Sequence, residues 1–184
     1  MRRRDVLRVI GGAPIFAATA NLGDLALAAA RPDPREPWRR AGRYDDVRRR
    51  ALSYALLAPN PHNRQPWVVR LDNVDALTLF VDLNRRLPAT DPYDRQITIG
   101  CGAFLELLAI AAAQEGCRAA VTPFPEGEDL QTLDRRPVAR VRLVADAVPR
   151  DPLFAQLLNR RTNREAYAPR QVPSTVQTGD IGNT

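Results

Sequence analysis

Ala58 to Trp67 read A-P-N-P-H-N-R-Q-P-W, and the reading of this stretch decides what its neighbours must be. It gathers the single histidine of the chain, one of its two tryptophans, three prolines and three side-chain amides. Upstream, from Asp45 to Leu57, the apolar residues Val47, Ala51, Tyr54 and Ala55 recur at helical spacing, and Pro59 and Pro61 force that helix to stop. The stretch is therefore expected to be a stiff, polar helix terminus in which Asn60, Asn63 and Gln65 present amide donors and acceptors. Such groups suit a flat heterocycle that alternates donors and acceptors. The alternative is a surface turn whose amides bond their own backbone.

Downstream, W-V-V-R-L gives an extended run, Asp72-Asn73 a break, and Leu77 to Leu83 a second run in which Leu77, Leu79 and Val81 alternate with Thr78, Phe80 and Asp82. The segment I-T-I-G-C-G-A-F-L-E-L-L-A-I-A-A-A-Q-E-G reads as a long helix, apolar nearly all round and closed by Gly116. Val138 to Val144 alternate valine with arginine as a further strand, and a short helix follows Asp151. Residues Arg31 to Arg43, rich in proline and arginine, read as an irregular entry segment. Helices and strands mix without a regular strand-helix-strand repeat, so the expected class is α+β, a central antiparallel sheet packed by helices.

Composition removes several chemistries. The 184 residues suffice for one ordinary domain and a piece of a second. All 27 basic residues are arginine, which excludes Schiff-base chemistry and the P-loop lysine. One histidine, two cysteines and the two serines Ser53 and Ser174 leave little for a zinc cage or a Ser-His-Asp system, and no metal site is expected. Cys101 and Cys117 are expected on or near one helix. At about 1.5 Å of rise per residue they lie beyond the ~7 Å reach of a disulfide, so they read as two buried thiols. The net charge of +6 is spread along the chain, aromatics do not interleave with it, and Arg48-Arg49-Arg50 would point three ways from a helix. A nucleic-acid partner is accordingly not expected.

The amino terminus, M-R-R-R-D-V-L-R-V-I-G-G-A-P, continues as a moderately apolar run interrupted by Asp24. Arg3-Arg4 followed by Asp5, Val6 and Leu7 resembles a twin-arginine export signal, and Ala28-x-Ala30 would allow cleavage after Ala30. An uncleaved amphipathic helix or anchor is the alternative. Asn21 and Asp24 leave no unbroken run of about 20 apolar residues for a span. The expected organisation is a signal over 1–30, a first lobe over 31–158 and the start of a second over 159–184, with export across the cytoplasmic membrane by the twin-arginine translocase.

A second cluster, N-R-R-T-N-R at 159–164, combines guanidinium forks with a hydroxyl, which suits a phosphate monoester or, alternatively, a solvated basic turn. At these two clusters the chain resembles a known superfamily. A-P-N-P-H-N-R-Q-P-W is similar to the A-P-S-x-x-N-x-Q-P-W segment of the nitroreductase superfamily of FMN enzymes, and R-R-T-N-R-E-A-Y is similar to its R-x-S/T-x-R arm. In most members the arm precedes the loop. The reversed order here resembles the exported branch, often called Acg-like, in which two nitroreductase-like halves are fused, and the resemblance covers roughly residues 45 to 173.

What the resemblance implies can be stated residue by residue. Arg160, Thr162 and Arg164 match the arm that holds the FMN phosphate, and Asn60, Pro61, Asn63 and Gln65 match the loop along the isoalloxazine ring. Asn60 stands where serine is common, and His62 falls on a variable position that inherits no role. Arg95 and Gly102 read as packing residues of the long helix. The implied activity is NAD(P)H-linked reduction of a small-molecule electron acceptor, a nitroaromatic or quinone. A fused site that has lost access for the nicotinamide would instead be a non-catalytic flavin-binding or sequestering protein. A complete relative is expected to run on for about another half, so the chain reads as truncated, with its second lobe missing.

Overall fold

The computed structural model describes residues 6–10, 13–14, 33, 35–129, 131–146, 148–163, 165, 166 and 169. Six strands form one antiparallel sheet: β1 (Val6–Ile10), β2 (Ala13–Pro14), β3 (Trp67–Leu71), β4 (Ala76–Val81), β5 (Cys117–Pro123) and β6 (Ala139–Ala145), in the order β2-β1-β3-β4-β6-β5. The helices are α1 (Glu36–Arg40), α2 (Val47–Ala55) and α3 (Arg95–Gln114). This is the mixed α+β arrangement expected from the sequence.

Alternation places the core. In β3 the residues Trp67, Val69 and Leu71 are buried, and they pair with Val81, Leu79 and Leu77 of β4. Leu77 and Leu79 in turn face Val141 and Ala139 of β6. One sheet face is thus a continuous apolar layer, covered by α2 and α3 through Ala51, Ala55, Ile97, Cys101, Phe104 and Leu108. The period of two in the strands and the apolar stripe of the helices close one core between two layers. The opposite face carries Arg140 and Arg142, both exposed. Thr78 also points to that side yet is fully buried, because its hydroxyl donates to Asp72, whose carboxylate also takes Arg70 Nε at 2.5 Å.

Several expectations need correction. The entry segment is not irregular throughout: Glu36–Arg40 forms α1, with Pro37 in its first turn, where a missing N–H costs nothing. The second strand runs Ala76–Val81 rather than to Leu83, since Leu83–Arg85 turns as a 3₁₀ helix with Asp82 accepting from Asn84 N. The element after Asp151 is a 3₁₀ turn, Pro152–Gln156. Cys117 is not on the helix of Cys101. Gly116, at φ +69, ends α3 in the left-handed conformation, and Cys117 opens β5, half-buried rather than buried. Arg95 and Gly102 are exposed on α3, with open space around any Cβ at Gly102, so neither packs. The residues of the expected signal fall largely outside the described residues, apart from β1 and β2.

α3 is long and apolar enough, by length and composition, to cross a membrane, but here its apolar residues are largely buried against the sheet and α2. Its amino terminus is held by two buried carboxylates. Asp91 accepts from Ile97 N at 3.0 Å, and Asp94, wholly buried, takes Arg86 Nε at 2.8 Å and Leu133 N at 2.9 Å. A buried carboxylate that takes a guanidinium and a backbone N–H, as Asp94 does, is compensated.

Candidate functional site

The loop begins where α2 unwinds. Asp46 caps the start of α2 by accepting from Arg48 N and Arg49 N, and at the far end Leu57 N and Ala58 N bond back to Tyr54 and Ala55 carbonyls before Pro59 removes the next donor. Pro61–Asn63 then makes a single 3₁₀ turn. His62, Asn63 and Gln65 all have φ near +50, with right-handed Arg64 between the last two, a left-handed conformation that asparagine tolerates most readily. Each of the others costs about 1–2 kcal/mol, so the fold around the loop must hold it in place.

Side-chain amides supply much of that hold. Asn60 Oδ1 accepts from Gln65 N at 2.8 Å, Gln65 Nε2 donates to Asn63 Oδ1 at 2.9 Å, and the buried Trp67 indole donates to Gln65 Oε1 at 2.9 Å. Asn60 Nδ2 donates to Ala58 O. The loop is tied to the sheet by Asp82 N bonding Pro66 O at 2.7 Å and by Arg85 Nη1 donating to Arg64 O at 2.5 Å. Gly100 of α3 lies against it, since a Cβ there would stand 3.5 Å from Asn60 Cβ. The two alternatives weighed for the amides thus combine: they do bond one another and their own backbone, and this leaves one N–H on Asn60, one on Gln65 and both on Asn63 available.

The arm reaches the loop from the other end of the chain. Phe154 of the Pro152–Gln156 turn packs at a tilt of 59° on Tyr54 of α2, 5.0 Å between centroids, and Leu157 enters the core, which brings Arg160 over the end of α2. There Arg160 Nη2 donates to Leu57 O. Arg161 Nη1 donates to the carbonyls of Leu158 and Arg160, both at 2.7 Å. Loop and arm line one crevice of about 170 Å3, the loop through Asn60, Asn63 and Gln65 and the arm through Arg160, Arg161 and Thr162.

Of the seven positions singled out from the sequence, five therefore share this crevice. Pro61 shapes the loop without lining it, and Arg164 lies outside the described residues. His62 is exposed. Five lining residues were not singled out as site residues: Leu57, Ala58 and Pro59, which lead into the loop, Arg161, whose number falls between the motif positions, and Trp38 of α1, for which the sequence carries no signal because the entry segment is remote in the chain. Tyr54 and Ser53 set the exit from α1. Gly42 N donates to Ser53 Oγ at 2.8 Å, and at φ +76 a Cβ on Gly42 would sit 2.6 Å from the Tyr54 hydroxyl.

The electrostatics of the crevice favour an anion. Among the described residues its lining contains two arginines and no carboxylate. Burial, with the neighbouring Arg161 charge, holds the Arg160 guanidinium below its ordinary pKa. Arg160 Nε and Trp38 Nε1 are both buried donors with no acceptor among the described residues. A buried orphan donor costs about 1–3 kcal/mol, and two in one crevice suit a ligand that brings several acceptor oxygens. That chemistry fits a phosphate monoester. It gives no support to a metal, and no cluster of three or more His, Cys, Asp or Glu that could hold one occurs among the described residues.

No protein-family model matches the chain. Among curated proteins it is similar to the "Putative NAD(P)H nitroreductase acg" of Mycobacterium tuberculosis, 37% identical over 130 residues, which cover 67% of this chain and 36% of that protein. A second protein of the same organism, also named as an NAD(P)H nitroreductase, is 36% identical over 140 residues, 72% of this chain and 36% of its own length. The "Probable NAD(P)H nitroreductase PigM" of a Serratia species is 29% identical over 138 residues, 73% of this chain and 38% of its own. The chain thus spans little more than a third of the length of the curated relatives it matches. Their names, together with the mixed helical and antiparallel-sheet fold, support the nitroreductase-like superfamily for this chain.

Proposed function

We propose that the chain is the flavin-holding part of an FMN-dependent, NAD(P)H-linked oxidoreductase that passes electrons to nitroaromatic or quinone-like small molecules. One observation carries this reading: two segments about a hundred residues apart, each similar to a nitroreductase motif, meet on one crevice that, among the described residues, offers positive charge and unpartnered donors and no carboxylate. Arg160 and Thr162, joined by Arg164, would hold the phosphate. Asn60, Asn63 and Gln65 would lie along the ring, with Pro61 fixing their backbone. Bound FMN would supply the electron transfer itself.

The chain's own residues orient and exclude. The guanidinium of Arg160 is pinned on Leu57 O, which fixes its position at the crevice. The N–H groups left over on the loop amides can favour negative charge at a ring edge. A crevice of about 170 Å3 is smaller than the roughly 300 Å3 at which whole cofactor sites begin. In this reading 31–158 forms one wall of the flavin site, and the lobe that begins at 159 supplies the other. The proposal includes export by the twin-arginine translocase. Cleavage after Ala30 would remove β1 and β2 and leave β3 as the sheet edge, which amino-terminal sequencing of the secreted chain tests.

Purified protein titrated with FMN should show a shifted, structured flavin absorbance, with riboflavin binding more weakly. Oxidation of NADH or NADPH in the presence of a nitroaromatic then completes the reading. An FMN complex that consumes neither nicotinamide marks a flavin-binding or sequestering protein instead. Absence of FMN binding at high micromolar concentration overturns the flavin assignment.

A further inference from the structure

Trp38 stands outside every motif, yet it lines the crevice together with Arg160 and Arg161. It is half-buried as a residue, while its indole nitrogen is fully buried and without an acceptor among the described residues. The only other buried side-chain donor in that condition among them is Nε of Arg160, which lines the same crevice. The guanidinium of Arg161 lies over the Trp38 ring, 5.9 Å from its centroid, and is tethered to two backbone carbonyls, so ring and cation brace each other. Among the described residues every other lining group is an amide, a hydroxyl, a proline or an aliphatic side chain. None of them offers an oxygen to either orphan.

We infer that Trp38 is an anion-binding residue: its indole N–H and Arg160 Nε donate to two oxygens of one phosphoryl group, with the Arg161 guanidinium stacked behind the indole. The assignment of that phosphoryl group to FMN rests on the function proposed above. The pairing of donors does not. Arginine Nε and an indole N–H are each fixed in direction by a planar group, so they select a multi-oxygen acceptor of defined shape rather than a diffuse negative charge. Burial and the like charge of Arg161 both work against Arg160 carrying its proton alone, and an anion between the donors relieves that. Binding also makes the entry segment part of the site, although it precedes the loop and is remote from the arm.

The test uses the full chain, titrated with FMN, riboflavin and inorganic phosphate in turn, and compares it with Trp38→Phe, which keeps a ring for Arg161 to stack on. The readouts are flavin absorbance and the indole ¹⁵N–¹H resonances of the two tryptophans. Trp67 serves as an internal control, since its N–H is already bonded to Gln65. The expected result is a downfield shift of the Trp38 N–H alone with FMN and with phosphate, none with riboflavin, and about tenfold weaker FMN binding in Trp38→Phe, as for a lost bond to a charged acceptor. Riboflavin affinity should be unchanged. FMN binding that is equal in both proteins, with a silent Trp38 N–H, overturns the inference and leaves the flavin reading intact. Phosphate that shifts Trp38 while neither flavin binds supports the anion site and overturns the flavin reading. Silence of Trp38 toward all three ligands overturns the inference, and the wild-type resonance decides it even where Trp38→Phe fails to fold.

Discussion

Replacing Gln65 with leucine isolates what holds the loop. Gln65 Oε1 is the acceptor for the indole of Trp67, a side chain only 1% exposed, and Gln65 Nε2 bridges to Asn63. In Gln65→Leu the Trp67 donor stays buried with no partner, which costs about 1–3 kcal/mol, and the exposed bridge to Asn63 adds a few tenths. The backbone at φ +50 is about equally strained with glutamine or leucine, so it cancels. The expected loss is about 2–3 kcal/mol, a fall in Tm of roughly 4–12 °C for a chain of this length. Gln65→Ala removes the same acceptor but opens a path by which water reaches the indole, so it should cost less, about 1–2 kcal/mol. Thermal melts followed by tryptophan emission, with Trp67 emission shifted to the red in the alanine variant, measure both. The reasoning is refuted if leucine is no worse than alanine, or if both melt within about 1 °C of wild type.

Phe104, fully buried and packed on Trp67 with ring centroids 5.0 Å apart, should cost about 3–5 kcal/mol as Phe104→Ala, read by urea unfolding, and should weaken any flavin binding through the loop above it. Asp46 gives the pH dependence. Its hydrogen bond to Arg48, with the donors at the start of α2, lowers its carboxyl from 3.8 to about 2. A folded-state pKa below the unfolded one means that this stabilisation is complete above about pH 4 and is lost as pH falls toward 2. The urea midpoint of wild type should therefore exceed that of Asp46→Asn near neutral pH, with the gap closing over that interval. Burial pushes the Cys101 thiol up to about 12. An aromatic disulfide reagent at mildly alkaline pH should then modify native protein at Cys117 alone, with Cys101 reacting only on unfolding, and Cys117→Ser should abolish the fast phase.

The α+β class, the strands β3, β4 and β6, the long helix α3 and the ending of α2 ahead of Pro59 were all legible in the sequence, because each rests on local periodicity or on a residue with a fixed backbone preference. β5 was not. Cys117–Pro123 alternates weakly, with Arg118 and Thr122 outward and only the small Cys117 and Ala119 packed on the core, and it becomes a strand only because β6 offers a partner along its whole length, from Cys117 opposite Ala145 to Pro123 opposite Ala139. The exposure of Arg95 and Gly102 was equally invisible, since which side of an almost wholly apolar helix meets solvent is set by where the sheet and α2 lie.

The loop and the arm could be named from residue types, since amides between prolines and guanidiniums beside a hydroxyl have their chemistry whatever surrounds them. Their meeting could not. About a hundred residues separate Leu57 O from the Arg160 guanidinium that it accepts from, and only the docking of Phe154 and Leu157 on α2 brings them together. The inclusion of Trp38 and Arg161 in the crevice, and the two donors left there without acceptors, belong to the tertiary structure alone. Local chemistry travels with each residue along the chain, whereas an unpartnered donor exists only once distant segments have been packed around it and water has been shut out.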